Sequence, residues 1–421
     1  MDSDLAKNLR SVTISPLEDE EEEEEELHIE EAEEDEEEDE EDSVQLGFVE
    51  KPKNPRLLLS HLFPSKAGGL PAWLDPVNLP PDNSRLCGFC GDPLQFLLQI
   101  YASIDGKEST FHRTLYVFMC PSMACLLRDQ HEQWRHKEGS PSRSVKVFRC
   151  QLARSNPYYS SEPPKLDGTD RPLCTGVPLC CWCGTWKGGK LCGSCKKTRY
   201  CSEKHQAMHW KSGHKSECHK LIASDSPIVN NGNGVQDLTV FKNGLNNATW
   251  PEYEIVIEEE SGFEWEKSEG NSSSTGTSAI VTKYNKTDEA LQSVMDQFEA
   301  DADKKSWASF EERISRAPEQ VLRYCRDATA KPLWPLCSGR PSKTEIPPCR
   351  YCKGPLCYEF QIMPQLLYYF GVKNDSNSLD WGTIAVFTCL ASCESSISYK
   401  EEFAWVQIYP ATSIRPGRLT M

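Results

Sequence analysis

The chain has 421 residues, enough for two or three domains, and a formal net charge of −18. Residues 18–42 hold 21 Asp and Glu and no Lys or Arg, so the rest of the chain carries a formal charge of +3. This distribution excludes a uniformly acidic fold. Because a run of like charges repels itself and cannot bury apolar surface, we predict that residues 1–45 form a disordered acidic arm.

Cysteine usage and hydropathy limit the compartments that suit the chain. It has 20 Cys and 9 His, it opens with the polar stretch MDSDLAKNLRSVTIS, and no run approaches the roughly 18 apolar residues of a membrane span. We therefore expect a protein of the reducing cytosol or nucleus. Paired cysteines in those compartments are metal ligands more often than disulfides.

The first part of the chain has the pattern of β structure. Residues 46–80 are apolar but interrupted by Pro and Gly, which predicts ordered, extended chain rather than helix. Short β-rich runs follow at residues 96–102, 115–120 and 145–152. We assign residues 46–173 to an N-terminal β module.

The last part of the chain is more mixed. Residues 221–285 have the Asn-, Gly- and Ser-rich composition of a flexible linker, with a lone strand predicted at residues 253–260. Helices are predicted over residues 286–328, with Pro318 at the first position of the last one. Since β-rich runs then return, we assign residues 286–421 to a C-terminal module of helices followed by strands.

One motif occurs twice. CGFCGDPLQFLLQI at residues 87–100 and CRYCKGPLCYEFQI at residues 349–362 share a CxxC pair, a Pro-Leu step and a Gln-Ile step. Each copy continues through a β run to a second cysteine pair and then to a closing strand. The repeat predicts two pseudo-symmetric β halves, each too small to bury a sufficient core alone, that pack against each other.

Each copy supplies four cysteines. Four thiolates suit a tetrahedral structural Zn²⁺, and the alternative is a set of reduced cysteines that pack as small hydrophobic side chains. We favour zinc because both copies keep both pairs. The predicted ligands are Cys87, Cys90, Cys120 and Cys125 in the first copy, and Cys349, Cys352, Cys389 and Cys393 in the second.

A denser block, residues 174–220, lies between the copies. From residue 180 to residue 218 its Cys and His are spaced C-x2-C-x8-C-x2-C-x5-C-x3-H-x8-H-x3-C, which is eight ligands for two zincs. The spacing resembles the MYND zinc finger and does not fit a RING. The resemblance implies an interleaved assignment, with Cys180, Cys183, Cys201 and His205 on one zinc and Cys192, Cys195, His214 and Cys218 on the other. Cys181 and His209 are left without a ligand role.

The partner of the finger stays open at the level of sequence. The resemblance implies that it docks short Pro-containing peptides, and the alternative is a folded insert without a partner of its own. The block is rich in Lys, but it has no base-stacking motif and no recognition helix. Direct nucleic-acid binding is therefore not expected.

These features together predict a mainly β fold with duplicated zinc-binding β halves, an inserted MYND finger and a few helices. The chain resembles the programmed cell death protein 2 family. Besides the two copies and the finger, the stretches that carry the resemblance are FPSKAGGLPAWL (63–74), FHRTLYVFMC (111–120), PEQVLRY (318–324) and DWGTIAVFTC (380–389).

The resemblance implies a function. Family members are dedicated chaperones of one basic small-subunit ribosomal protein, the eukaryotic relative of the bacterial S-five protein, which they capture during its synthesis in support of 40S ribosome biogenesis. They shuttle, so a cytoplasmic location with nuclear shuttling is expected. The rival interpretation is a MYND-type interaction adaptor in transcription regulation or in the control of cell death and proliferation.

The client-binding surface is less specified than the metal ligands. The acidic run 18–42 lies outside the shared family pattern; it would shield a basic client until RNA replaces it, or it is a solvated spacer that aids solubility. Candidate contact residues are Trp73, Gln99, Trp381 and the stretch 363–370, for each of which ordinary core packing is the alternative.

Catalysis is not expected. The chain has no Ser–His–Asp arrangement, P-loop or GxGxxG. It also lacks the NHxC stretch and the Gly-rich cofactor segments of SET-domain methyltransferases. Asp380, the most acid-like candidate, is more typical of a turn or cap before a strand. We predict a non-enzymatic protein.

Overall fold

The computed structural model describes residues 44–135, 142–165, 173, 176–223, 249–263, 302–373, 375 and 377–409. The predicted acidic arm, except its last two residues, and most of the predicted linker lie outside these ranges.

The described chain is mainly β. Ten antiparallel strands form one closed barrel in the order β1-β8-β2-β3-β4-β5-β12-β11-β10-β9, and β9 returns to pair with β1. A separate two-stranded ribbon, β6 with β7, belongs to the inserted finger. The strands are β1 (Gln45–Glu50), β2 (Lys66–Ala67), β3 (Gln95–Tyr101), β4 (His112–Met119), β5 (Val145–Leu152), β6 (Lys190–Leu191), β7 (Arg199–Tyr200), β8 (Tyr253–Glu259), β9 (Leu322–Tyr324), β10 (Leu356–Ile362), β11 (Thr383–Cys389) and β12 (Tyr399–Gln407).

The described part of the chain has few helices, as predicted. They are α1 (Met123–Gln133), α2 (Glu203–His209), α3 (Lys215–Ala223), α4 (Ala302–Ser315) and α5 (Gln365–Tyr369). Among these helices of the described ranges, none has both the length and the apolar character that crossing a bilayer requires.

The strands predicted at residues 96–102, 115–120 and 145–152 are β3, β4 and β5. Their two faces are both covered, which explains their nearly continuous apolar sequence. On β5, Val145 and Val147 face the barrel interior, while Phe148 and Cys150 join a second cluster on the outside. That outer cluster contains the side chains of the finger, so the finger packs against the outer face of the N-terminal half.

The duplication is visible in the strand register. The β3–β4 pairing shifts between Phe96 and Leu98, and the β10–β11 pairing shifts between Tyr358 and Phe360, at the same distance from the CxxC pair of each copy. A bulge of this kind bends a strand and increases its twist. Both halves therefore curve into the barrel at equivalent positions.

The two halves meet at two seams. At one, β5 pairs directly with β12. At the other seam, β1 pairs with β8. β1 also pairs with β9 of the C-terminal half, and β8 also pairs with β2 of the N-terminal half. The halves thus exchange a strand, since β1 precedes the N-terminal half in sequence but lies beside β9 of the C-terminal half.

The prediction of a lone strand at residues 253–260 within a linker is wrong. β8 is a barrel strand paired on both sides, and its Ile255 lies in the main core. The flanking Asn-, Gly- and Ser-rich composition concealed this, because strand pairing over long sequence distances leaves no local signal.

The prediction that Pro318 starts a helix is also wrong. Helix α4 ends at Ser315, and the Gln320 N–H donates to the Ala317 carbonyl in a turn. The chain then enters β9, where Leu322 is buried between β1 and β10. Tertiary pairing overrides the local helix signal here. The part of the predicted helical span before residue 302 lies outside the described residues.

A polar network fills one part of the barrel interior. Arg113 of β4 and Glu359 of β10 are both fully buried and form two hydrogen bonds, of 2.5 and 2.7 Å. Burial alone would raise the pKa of Glu359, but the Arg113 guanidinium outweighs this and lowers it. At the position equivalent to Glu359 in the first copy the chain has Leu97, which is equally buried.

Candidate metal centres

Four CxxC pairs in the described chain form the same tight turn. In each, the N–H of the residue after the second Cys donates to the carbonyl of the first Cys, and that residue has a positive φ. The four residues are Gly91 (φ 74°, 3.0 Å to Cys87), Gly184 (φ 62°, 2.8 Å to Cys180), Lys196 (φ 54°, 2.9 Å to Cys192) and Lys353 (φ 62°, 2.9 Å to Cys349). The turn directs both thiols of a pair to one side, so that a second pair completes a site.

In the first copy, the second pair comes from the end of β4 and the start of α1. Cys120 directly follows β4, and Cys125 lies in the first turn of α1. The Cys90 and Cys120 Sγ atoms are 3.7 Å apart, and all four Sγ atoms lie within 4.8 Å of one another. The structure thus brings the predicted quartet together.

In the second copy, the second pair comes from the end of β11 and the loop after it. The Cys349–Cys393 and Cys352–Cys389 Sγ distances are 3.7 and 3.5 Å. This predicted quartet is also brought together within 4.8 Å.

The finger contains the two interleaved quartets. Cys201 Sγ lies 3.1 Å and Cys180 Sγ 3.7 Å from His205 Nδ1, at the start of α2. In the second quartet Cys195 Sγ lies 3.7 Å from His214 Nε2, and Cys192 and Cys218 Sγ are 3.9 Å apart. Each quartet again lies within 4.8 Å.

These distances fit zinc better than disulfides. A disulfide requires about 2.05 Å between sulfurs, whereas the closest sulfur pairs here are 3.5–3.9 Å apart. A zinc ion about 2.3 Å from each sulfur gives a tetrahedron whose edges are about 3.8 Å. The four clusters are therefore compatible with tetrahedral zinc, and each provides four side-chain ligands.

Hydrogen bonds favour the thiolate form that a metal requires at one cysteine of each repeated CxxC motif, whereas burial raises the pKa of Cys90 to about 11. A hydrogen bond from the Cys120 thiol, together with the backbone N–H groups of Cys90 and Phe89, lowers the pKa of Cys87 to about 5. The Gly354 N–H, 3.4 Å from the Cys352 sulfur, lowers the pKa of Cys352 to about 7. Hydrogen bonds to the charged form act here against desolvation.

Comparison with known proteins places the chain in a family. The family model for the programmed cell death protein 2 N-terminal domain matches residues 43–166, the model for its C-terminal putative domain matches residues 304–408, and the MYND finger model matches residues 180–218. The chain is 38% identical over 370 residues to "Programmed cell death protein 2" of Bos taurus, covering 86% of this chain and 96% of the relative.

The chain belongs to the programmed cell death protein 2 family.

Other relatives of the family cover a similar extent. The Rattus norvegicus "Programmed cell death protein 2" is 36% identical over 373 residues, covering 87% of this chain and 96% of the relative. The Schizosaccharomyces pombe "Probable 20S rRNA accumulation protein 4" is 24% identical over 368 residues, covering 79% of this chain and 88% of the relative. No solved structure matches the chain significantly.

Residues left without a ligand role in this family member have other partners. His209 is buried, 3.0 Å from the Tyr200 hydroxyl, and its ring stacks on that of His214. Burial lowers the pKa of His209. The Cys181 sulfur accepts a hydrogen bond from the Arg199 N–H at 3.4 Å. Both side chains thus have partners within the finger.

The three side chains predicted to contact a client are packing residues. Trp73, Gln99 and Trp381 are 5%, 1% and 0% exposed. Trp73 Nε1 donates to the Thr185 carbonyl at 3.0 Å, and Trp381 Nε1 donates to the Ile362 carbonyl at 3.2 Å. Their burial therefore favours core packing, the alternative stated for each of them, over contact with a client.

The buried glutamines Gln99 and Gln361 show what the repeated Gln-Ile step does. Gln99 accepts from the Ala72 N–H at 2.8 Å and donates to the Pro64 carbonyl at 2.9 Å. Gln361 binds the Leu333 N–H and carbonyl at 2.6 and 2.9 Å. Each glutamine fixes an extended segment against its half. In the stretch 363–370, Leu366 and Leu367 are buried and Tyr368 is 66% exposed.

Side chains that contact the backbone of the candidate metal ligands were not predicted from sequence. Arg149 of β5 donates to the Cys393 carbonyl at 3.2 Å, and Glu402 of β12 accepts from the Cys389 N–H at 3.1 Å. Arg85 donates to the Cys201 carbonyl at 2.7 Å. Contacts of this kind orient metal ligands. No spacing pattern marks these side chains, because they lie outside the ligand motifs.

Proposed function

We propose that this protein escorts a basic small-subunit ribosomal protein, captured during its synthesis, in support of 40S ribosome biogenesis. The observation that carries the proposal is the match over 79% of the chain to a relative named "Probable 20S rRNA accumulation protein 4". A role tied to rRNA accumulation fits a protein that delivers a subunit component.

The charge distribution supports a basic client. The 21 acidic residues of the run 18–42 leave the rest of the chain near neutrality. A polyanion in the same chain as a client-binding domain attracts a cationic chain and repels RNA, so that the client is protected until the rRNA competes for it.

We also propose that the protein is not an enzyme and that it holds four zinc ions. Each of the four clusters offers four Cys or His ligands, the number that fills the coordination of a closed structural zinc. Metal analysis of the purified full chain would give four zinc equivalents. Cys349→Ser would give three and a less stable barrel, whereas Cys337→Ser, at an exposed cysteine outside the clusters, would still give four.

The escort proposal is tested by a native pull-down of the tagged protein from its own cells, with and without a block of translation. We expect one basic ribosomal protein at stoichiometric yield, lost when translation stops. Its absence under both conditions would overturn the proposal. Cytoplasmic localisation with nuclear shuttling is part of the proposal, and blocking nuclear export would then move the protein into the nucleus.

A second candidate function is an interaction adaptor that uses the MYND finger. It is favoured by a cavity of about 290 Å³ on the finger, lined by Glu203, Gln206, Ala207, Trp210 and Lys211. Trp210 is 36% exposed there, and an exposed aromatic beside a concavity suits a short Pro-containing peptide. Recovery of transcription regulators and loss of that recovery in Trp210→Ala, without any ribosomal protein, would favour this function.

A further inference from the structure

Beyond Ile255, the edge of strand β8 that faces β2 has no partner strand within the described residues. Along an antiparallel strand, backbone groups point alternately to the two neighbours. The Glu260 N–H donates to the Val44 carbonyl at 2.8 Å toward β1, and the Ile255 N–H donates to the Ser65 carbonyl at 3.0 Å toward β2. By this alternation the N–H and carbonyl of Ile257 also point to the β2 side.

β2 does not reach the position at which it would pair with Ile257 of β8. Extending the register of β2 and β8 places Phe63 opposite Ile257. Phe63, however, has a left-handed backbone with a φ of 50°, and its N–H donates to the Ser60 carbonyl at 3.2 Å. Within the described ranges no residue pairs with the Ile257 backbone on this side, and Ile257 is 37% exposed.

The open position has the width of one strand. β2 separates β8 from β3, so these strands lie about two strand spacings apart, about 9.6 Å. We use the name β8 lane for the continuation of β2 between Ile257 and Ser103, the exposed residue two positions after the end of β3. Ser103 also lines a cavity of about 300 Å³ with Gln45, Asp105, Tyr324 and Arg326. The lane therefore opens toward a concave surface.

The charge beside the lane is negative. Residues 249–263 contain five Glu and no Lys or Arg. Glu252 pairs with Lys66, and Glu260 is buried between Arg313 and Arg323. Glu254 and Glu258 lie on the face of β8 opposite to the core residue Ile255, and Glu258 is exposed. A strand added beside β8 would place its own side chains next to these carboxylates, which favours Lys or Arg there.

We propose that the β8 lane accepts an extended, Lys- or Arg-bearing segment of a protein partner, added as a strand beside β8. The inference rests on the proposed function, since a basic ribosomal protein is the client that would supply such a segment. The Ile257 N–H would donate to the segment, and the Ile257 carbonyl would accept from it.

The test is a binding titration of the full chain with a fluorescent peptide of alternating Lys and Val. A second peptide has the same sequence with N-methyl groups on alternate residues, which keeps its charge and removes the donors on one edge. We expect N-methylation to weaken binding about tenfold, because backbone hydrogen bonds are lost. Equal affinity of the two peptides would overturn the inference, since binding to acidic residues alone does not need those donors.

Variants of the lane provide the matched controls. Ile257→Pro removes the N–H that faces the lane, at a position where an edge strand tolerates Pro. This variant is expected to weaken binding about tenfold, whereas Ile257→Val retains the N–H and full binding.

Should Ile257→Pro fail to fold, Glu258→Lys at the exposed edge serves instead. It is expected to weaken binding, while Glu162→Lys, exposed elsewhere, does not. Equal binding by Glu258→Lys and Glu162→Lys would contradict the lane.

This result can be separated from that of the pull-down. Capture of a ribosomal protein together with no preference for the unmethylated peptide would leave the escort function in place and overturn the lane. Preference for the unmethylated peptide without capture of any ribosomal protein would support the lane and overturn the escort function.

Discussion

At the scale of single residues, the left-handed position after each CxxC pair shapes the metal clusters. Two of the four positions hold Gly, which adopts a positive φ at little cost, and two hold Lys, which does not. The same turn is thus built with and without strain in one chain. Substitutions at these positions separate backbone strain from metal binding, since none of the four side chains is a ligand.

Gly91→Ala is expected to lower the free energy of unfolding by about 1 kcal/mol. A Cβ added at Gly91 meets nothing within 4 Å, so the loss comes from the φ of 74° alone. Urea unfolding at saturating zinc measures it. Gly189→Ala is the control, because its Cβ is equally free and its φ is outside the left-handed range. A similar loss in both variants would contradict the strain argument.

Lys353→Gly is expected to do the reverse and raise the unfolding free energy by about 0.5 kcal/mol. Relief of the left-handed strain exceeds the extra flexibility that Gly gives the unfolded chain. The same urea titration reports it, with Lys343→Gly as the comparison at an exposed turn without positive φ. Destabilisation by Lys353→Gly would show that the Lys side chain itself contributes to the turn.

The sequence was informative about ligands because their spacing is fixed by the metal. The sequence did not predict the strained backbone at Lys353, since Lys is not typical of a left-handed turn. It also gave no notice of Arg149, which reaches the Cys393 loop from a strand far away in sequence. The sequence left both client contact and core packing open for Trp73 and Gln99, because a motif shared for packing has the same appearance in sequence as one shared for binding.

At the scale of elements, the two copies differ at the bulge, where β10 carries Glu359 and β3 carries Leu97. The Glu359–Arg113 pair joins β10 to β4, which lie in different halves. A buried pair of this kind adds little net stability relative to apolar residues, but removal of one partner is costly. It therefore constrains which arrangement of the halves forms.

Glu359→Leu is expected to lower the unfolding free energy by about 3–5 kcal/mol, because it leaves the Arg113 charge buried without the carboxylate that pairs with it. The double variant Glu359→Leu with Arg113→Leu is expected to recover most of this loss, since the equivalent Leu97 shows that the bulge accepts Leu. A double-mutant cycle in urea measures the coupling. Additive losses would mean that the two side chains do not act as a pair.

The same pair predicts a pH dependence. The pKa of Glu359 is lowered in the folded state, so its contribution is present above the unfolded value of about 4.3 and is lost as the pH falls through the folded value. Unfolding midpoints measured from pH 6 to pH 3 are expected to fall less steeply for the double Leu variant than for the unchanged chain. Parallel pH profiles would exclude Glu359 as a source of the acid sensitivity.

The elements themselves were predictable to different degrees. β3, β4 and β5 combine β-rich composition with burial on both faces, so local sequence and tertiary environment agree. β8 and β9 are different. Their surroundings favour linker and helix, and pairing on both sides holds them in the barrel: β8 with β1 and β2, and β9 with β1 and β10. Such strands are determined by partners hundreds of residues away and have no reliable local signal.

At the scale of the whole molecule, the exchange of β1 and β8 makes the halves interdependent. In residues 44–263 expressed alone, β1 would lack its neighbour β9 and β5 would lack its neighbour β12. In residues 302–409 expressed alone, β9 would lack β1 and β12 would lack β5. Each fragment would expose unpaired strand edges, which promote aggregation.

We therefore expect the fragments 44–263 and 302–409 to be insoluble when expressed separately and to co-purify when expressed together with zinc. Tagging one fragment and measuring recovery of the other tests this. A fragment that is soluble alone and unfolds cooperatively would contradict the single barrel. The fragment 44–263 carrying Glu162→Lys, at an exposed position, controls for effects of the surface.

The exchanged strand also has a consequence for synthesis of the protein on the ribosome. β1 is among the first parts of the fold to be translated, yet its partners β8 and β9 are added about 200 residues later and beyond. Throughout that interval the emerging chain carries a completed strand with both edges unpaired. A protein proposed to escort another nascent chain thus itself has an unpaired strand for a long part of its synthesis. The rate of translation between Glu50 and Leu322 sets the duration of that interval.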